Sequence, residues 1–227
     1  MRRVRDDAGL TLAEMMVVMM LMGLLSALVL TFVTSVERQM TTSRVMNENT
    51  NQASAATNET TRLLRGAVPL QVQNQADQPA FIEAGPTTVT FYTVVDTDAK
   101  TTTPMMVRLE VTAAGDLVEK RWLATNPGTP GPYWTFPTTA QTPSTTRTVA
   151  HGMTARPGSG QSLFTYLTYD KNGNQVTLPF ANGSLTAANR ALVAAVQVDA
   201  KAQTGTRGTP TLLTTVVGLR NVPAGSH

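Results

Sequence analysis

Hydrophobic and polar positions follow two regimes along the chain. From Leu10 to Val36 the only polar residues are Thr11, Glu14, Ser26, Thr31, Thr34 and Ser35, and no charge falls between Met15 and Val36. A helix rising about 1.5 Å per residue crosses a hydrocarbon core of about 30 Å with roughly 20 residues, so this run is long enough to span a membrane. Beyond it the apolar positions thin to a stripe of Val36, Met40, Ala53, Ala56, Leu63 and Leu64. Thr and Asn lower the helix preference there, most of all over 47–62. No strand alternation replaces it, and Gly66 followed by Pro69 supplies a stop. The pattern predicts helix to about residue 65.

After Pro69 the period changes. "TVTFYTVV" (88–95) reads as a strand. "MMVRLEVTAAGDLVEKRWL" (105–123) reads as a hairpin whose turn, Ala113–Asp116, holds Gly115. "SLFTYLTYDKNGNQVTLP" (162–179) is a second hairpin, turning over Asp170 to Asn174. The stretches 191–202 and 211–220 form a third, joined by "QTGTRGTP". Residues 126–160, rich in Pro, Gly and Thr, are expected to be an exposed, loop-rich insertion. The predicted class is α+β: a long N-terminal α-helix, transmembrane in its first half, packed on an antiparallel β-sheet head.

Composition narrows the function. Thr occurs 38 times, which suits strands and polar β surfaces. The net charge of +3 is small and spread out, which argues against nucleic acid as a direct partner. There is no cysteine, which excludes disulfides, a lipoprotein anchor, thiolate metal sites and cysteine nucleophiles. Arg2, Arg3 and Arg5 precede the apolar run. Counting Lys and Arg only, the N-terminus is cytoplasmic and the chain from Glu37 onward lies outside.

Glu14 is the odd residue, a lone acid at the mouth of a membrane-length segment, where an unpaired carboxylate is costly. A secretory signal peptide has a shorter apolar region and a small-x-small cleavage site, which "TFVTSVERQ" lacks. An ordinary anchor tolerates Glu14 near the headgroups but gives it no task.

A third reading rests on "GLTLAE", Gly9 to Glu14. A basic leader ending in Gly, then Leu10, Thr11, Leu12, Ala13 and Glu14, then an apolar helix, resembles the type IV pilin and pseudopilin signature. The resemblance implies a cytoplasmic leader 1–9, cleavage between Gly9 and Leu10 by prepilin peptidase, and N-methylation of Leu10. It implies a helix over 10–66 with a transmembrane segment of about 12–36, and a β-rich extracytoplasmic head over 67–227. It also implies that Glu14 pairs with the N-terminal amine of a neighbouring subunit, with Thr11, Leu12 and Gly23 in the assembly segment. In that pairing two charges penalised in lipid neutralise one another and set axial register. Gly23 falls where many pilins have a helix-loosening glycine. Thr31 falls where many major pilins have a proline, which points to a minor pilin.

The final hairpin ending Leu219-Arg220-Asn221-Val222, and "FTYLTYDKNGNQV", resemble the heads of PilW/PulJ-type minor pilins. The expected partners are prepilin peptidase, other major and minor pilins or pseudopilins, and an inner-membrane assembly platform. The expected location is the cell membrane, single-pass, and then an extracellular or periplasmic filament. Nucleic acid enters only indirectly, if the machine is a DNA-uptake filament rather than a pilus or a secretion pseudopilus. The resemblance implies no cofactor and no enzymatic activity. The alternative class is a single-pass surface protein whose β head binds a ligand or carries an enzyme.

Other candidates weigh less. Asp170, Asn172 and Asn174 have the 1-3-5 spacing of a calcium loop, but Gln175 stands where such a loop needs Gly and Ala181 where it needs Glu. A hairpin turn explains them better. His151 and His227 have no metal-ligand spacing. "PGSGQS" (157–162) is not a nucleophile elbow. Asn58 and Asn182 open sequons that abundant Thr and Ser produce by chance. Trp122 is expected in the core; Trp134 is open between core and adhesive surface.

Overall fold

The computed structural model describes residues 11–71, 77–94, 103–124, 133–205 and 209–220. Two compact units divide it, 1–44 and 45–227. Helix α1 (Leu12–Arg65) belongs to both.

In the first unit α1 carries its apolar residues uncovered. Every residue from Thr11 to Arg44 is exposed, Leu12, Met20 and Phe32 by 70% or more. The mean hydropathy over its most apolar window is 2.6, and it is long enough to cross a membrane. Thr31 does not bend the helix out of register. Its hydroxyl donates to the Ala27 carbonyl (2.8 Å), the usual resting place of a threonine inside a helix.

In the second unit α1 buries Asn49, Ala53, Ala56, Thr60, Leu63 and Leu64, spaced by three and four residues along one face. The expected stripe is therefore borne out at Ala53, Ala56, Leu63 and Leu64 and corrected at its start and in its interior. Val36 and Met40 are exposed, and Asn49 and Thr60 take buried places that their polarity concealed. Ala53 and Ala56 let the helix backbone approach the head, and Leu63 and Leu64 fill the space beneath. The Thr93 hydroxyl donates to the Leu63 carbonyl (2.8 Å) near the helix end.

The head holds two antiparallel sheets. The first is a meander of β1 (Phe81–Ala84), β2 (Thr88–Thr93), β3 (Met105–Val111), β4 (Leu117–Leu123) and β5 (Thr145–Ala150), in that order. The second contains β6 (Phe164–Tyr169), β7 (Gln175–Thr177), β8 (Ala195–Ala202) and β9 (Thr211–Gly218), ordered β7-β6-β8-β9. Both contribute to one core with α1, including Phe91, Val107 and Leu109 from the first sheet and Tyr166, Val196 and Val198 from the second. Pro86, Leu163 and Phe164 stitch them, since the Pro86 carbonyl accepts from the Leu163 amide (2.8 Å) and the Phe164 amide (3.0 Å). The Tyr166 hydroxyl crosses the seam to the Gly85 carbonyl (3.0 Å), and full burial, with the Glu83 charge, raises its pKa well above the usual phenol value.

The hairpin turns lie where glycine allows them. Gly115 (φ +91°) turns β3 into β4, and a Cβ there would lie 2.8 Å from the Met153 carbonyl oxygen. Three elements depart from expectation. β5 lies inside the stretch 126–160 expected to be loop; its "TTRTVA" is β-branched, but the Thr-rich surroundings hide it. β1 is only four residues and lacks alternation. A short helix α2 (Ala187–Ala191), capped by the Thr186 hydroxyl accepting from the Asn189 amide, runs up to the expected strand 191–202, which starts later, at Ala195.

Candidate functional site

The N-terminal end of α1 is built by "TLAE", residues 11–14. Thr11 precedes the first helical residue, and its hydroxyl accepts from the Glu14 amide (3.3 Å). Glu14 reaches back: its Oε2 accepts from the Thr11 amide (2.9 Å) and the Thr11 hydroxyl (3.0 Å). This is a capping box, in which the side-chain oxygen of each residue accepts the backbone amide of the other at the helix start. The acid also lies at the positive end of the helix. Sequence leaves Glu14 unpartnered in its own chain; the structure corrects that. The signal was present, since Thr-x-x-Glu before an apolar run is a capping signature in its own right.

Leu12 projects from the first turn, 79% exposed. Gly23 lies within α1, and a Cβ built there meets nothing within 4 Å, so the single chain has room for a larger residue at this position. Gly9 and Leu10, the expected cleavage pair, lie outside the described residues.

The head gathers charge around α1. Glu119 on β4 is fully buried, bound by the Arg121 guanidinium and by Arg147 Nε (2.8 Å). Glu59 on α1 accepts from Arg62 (2.6 Å), and Arg147 bridges to it as well. Arg121 Nη2 lies 3.6 Å from Glu59. Two acids and three arginines thus join helix, β4 and β5. The Arg62 hydrogen bond, opposed by burial and aided by the charges of Arg147, Arg62 and Arg121, holds the Glu59 carboxyl below the usual range.

On the other face of the first sheet, Tyr92, Met106 and Trp122 lie in cross-strand register and are buried. Trp134 and Phe136 pack over them, with Tyr92 and Phe136 ring centroids 5.1 Å apart. Trp122 Nε1 donates to the Gln141 carbonyl (3.0 Å). Trp122 is core, as expected, and half-buried Trp134 lines an open cleft of about 420 Å³ beside Leu70, Gln78 and Tyr92. In the second sheet Asp170 Oδ1 accepts from the amides of Asn172 (2.9 Å) and Asn174 (2.8 Å), and Oδ2 from Asn174 Nδ2 (3.2 Å). The 1-3-5 spacing thus builds the turn, with Gly173 at φ +81°. His151 Nδ1 lies 2.8 Å from Asp116 Oδ1, exposed, and His227 is outside the described residues. Among the described residues no three His, Cys, Asp or Glu side chains gather as a metal set.

No curated protein matches the chain. Residues 4–30 match the family model of the prokaryotic N-terminal methylation motif. This match, leading into an apolar helix followed by a β-rich head, supports a type IV pilin-like protein, processed by prepilin peptidase and anchored in a membrane by α1.

Proposed function

We propose that the chain is a minor pilin or pseudopilin subunit of a type IV filament machine. Prepilin peptidase cuts between Gly9 and Leu10 on the cytoplasmic side, and Leu10 is N-methylated. The retained helix passes from the membrane into the filament, with the head outside. The role is assembly or its initiation, not catalysis. Its partners are other pilin-like subunits and the inner-membrane assembly platform. The observation that carries this reading is the methylation motif over residues 4–30, continuous with a helix that opens with Glu14 and then carries no charge from Met15 to Val36. The unbroken helix through Thr31 and the two-sheet head are compatible with the PilW/PulJ type.

N-terminal sequencing and intact mass of the membrane-extracted protein test it. Leu10 is expected as residue one, carrying one added methyl group. Retention of residues 1–9 in cells with active prepilin peptidase contradicts the reading. Glu14→Gln and Glu14→Ala then separate the tasks of the acid. Both lose the charge, but Gln keeps an acceptor for Thr11. If Gln restores filament incorporation, amine pairing is not what Glu14 does.

A further inference from the structure

Arg190 is a cation without an anion. It lies in the last turn of α2, where its amide donates to the Thr186 carbonyl (2.9 Å). Its Nη1 donates to the Leu185 carbonyl over a long 3.3 Å, and its buried Nε donates to nothing. Among the described residues no carboxylate pairs with it. By contrast, Arg62, Arg108, Arg121 and Arg147 each have an acid. A guanidinium cannot shed its proton, so a half-buried one gains from an anion that reaches it.

Arg190 lines a cleft of about 200 Å³ whose other walls include Pro69, Pro79, Ala191, Asp77 and Gln78. Both sides of the cleft are tied to the head. Leu70 and Gln78 exchange two backbone bonds (3.0 and 2.8 Å), which fixes the chain between the two prolines. The Leu185 amide donates to the Ala84 carbonyl (2.8 Å), which fixes the approach to α2 on β1. Asp77 lines the same cleft and yet forms no ion pair with Arg190.

We propose that this cleft binds a carboxylate carried on a short apolar stem. The planar guanidinium fork matches the two carboxylate oxygens. The proline and alanine walls suit an uncharged stem. Asp77 opposes a second negative charge, so the site favours a monoanion over sulfate. The cleft is smaller than the roughly 300–1,000 Å³ of pockets for drug-sized molecules, so a residue-sized group fills it. Two sources carry such a group, a free small acid and an acidic side chain on another protein. The site stands whether or not the chain enters a filament.

The full chain, isotope-labelled in detergent micelles near neutral pH, is titrated with butyrate. The Arg190 Nε–H resonance, identified by its loss in Arg190→Gln, is expected to shift and to saturate on the order of millimolar butyrate. Uncharged butyramide and doubly charged sulfate should bind about tenfold more weakly or worse. Arg190→Lys keeps the charge but loses the fork. It should weaken butyrate binding about tenfold, read at the Ala80 and Ala191 amides, with unfolding by denaturant unchanged. Asp77→Asn should bring sulfate closer to butyrate. N-acetylglutamate α-amide presents the same group on a peptide. Saturation at lower concentration by this probe assigns the site to a protein side chain, and at lower concentration by butyrate to a free acid. No saturation by either, an equal response to butyramide, sulfate binding as tightly as butyrate, or undiminished binding by Arg190→Lys overturns the inference.

Discussion

Asn49 on α1 accepts hydrogen bonds from both the amide (2.6 Å) and the hydroxyl (2.7 Å) of Thr204, 155 residues further along the chain. Its Nδ2 donates to the Thr209 carbonyl (3.1 Å). One fully buried amide side chain therefore pins the β8–β9 connection to the helix. Asn49→Leu removes all three bonds and leaves backbone groups unpaired, which should cost about 1–3 kcal/mol. Thr204→Val removes only the hydroxyl contact and should cost about 1 kcal/mol or less. Denaturant unfolding of the full chain in detergent reads both, and an Asn49→Leu protein as stable as the parent sinks the pinning role.

Glu119 is a buried charge whose cost is offset only by its arginines. We predict that Glu119→Leu alone destabilises by about 1–3 kcal/mol, because Arg121 and Arg147 lose charged hydrogen bonds but keep Glu59 as a partner. Adding Arg147→Leu should recover part of that loss. A double-mutant cycle measures the coupling, and strictly additive losses would show that the three residues do not act as a unit.

Glu59 makes the head sensitive to acid. Its folded pKa lies below the ordinary 4.5, so the stability it contributes is complete above that value and is lost as pH falls through the lower folded value. Unfolding free energy should therefore decline below about pH 4.5, and Glu59→Gln should flatten that decline. An acid limb of the same slope in both proteins contradicts the assignment. Arg147 and Arg62 are partly exposed, so added salt should weaken the difference.

Trp122 holds the segment over the first sheet through one hydrogen bond and its ring. Trp122→Phe keeps most of the packing and loses the bond to Gln141, an expected cost of about 1 kcal/mol. Trp122→Ala should cost about 3–5 kcal/mol. Hydrogen exchange over residues 133–144 should quicken in the Phe variant while that in β8 does not; equal protection in both proteins would place the anchor elsewhere.

The long helix was readable because an uncharged run followed by Ala53, Ala56, Leu63 and Leu64 admits little else. The β3–β4 and β6–β7 hairpins were readable from local turns, Gly115 and Gly173. The division into two sheets was not, because β6 pairs with β8 across an intervening strand and helix, and nothing local encodes that choice. β5 was hidden by composition, since Thr marks strand and loop alike here. Asn49 and Glu119 escaped because polarity reads as exposure until partners distant in sequence supply the bonds. At the N-terminus one role was missed: "TLAE" caps its own helix.

In the proposed filament, where Glu14 pairs with a neighbouring subunit's N-terminal amine, the capping box turns that acid into one side of a competition. Both recorded bonds fall on Oε2, from a donor three residues away whose effective concentration is that of a small closed ring. An amine arriving from another chain either bonds the other oxygen, Oε1, and shares the carboxylate, or displaces a tethered rival. Thr11 therefore sets the threshold that an incoming subunit must exceed, and Thr11→Val, which removes the hydroxyl but keeps the amide, should lower it.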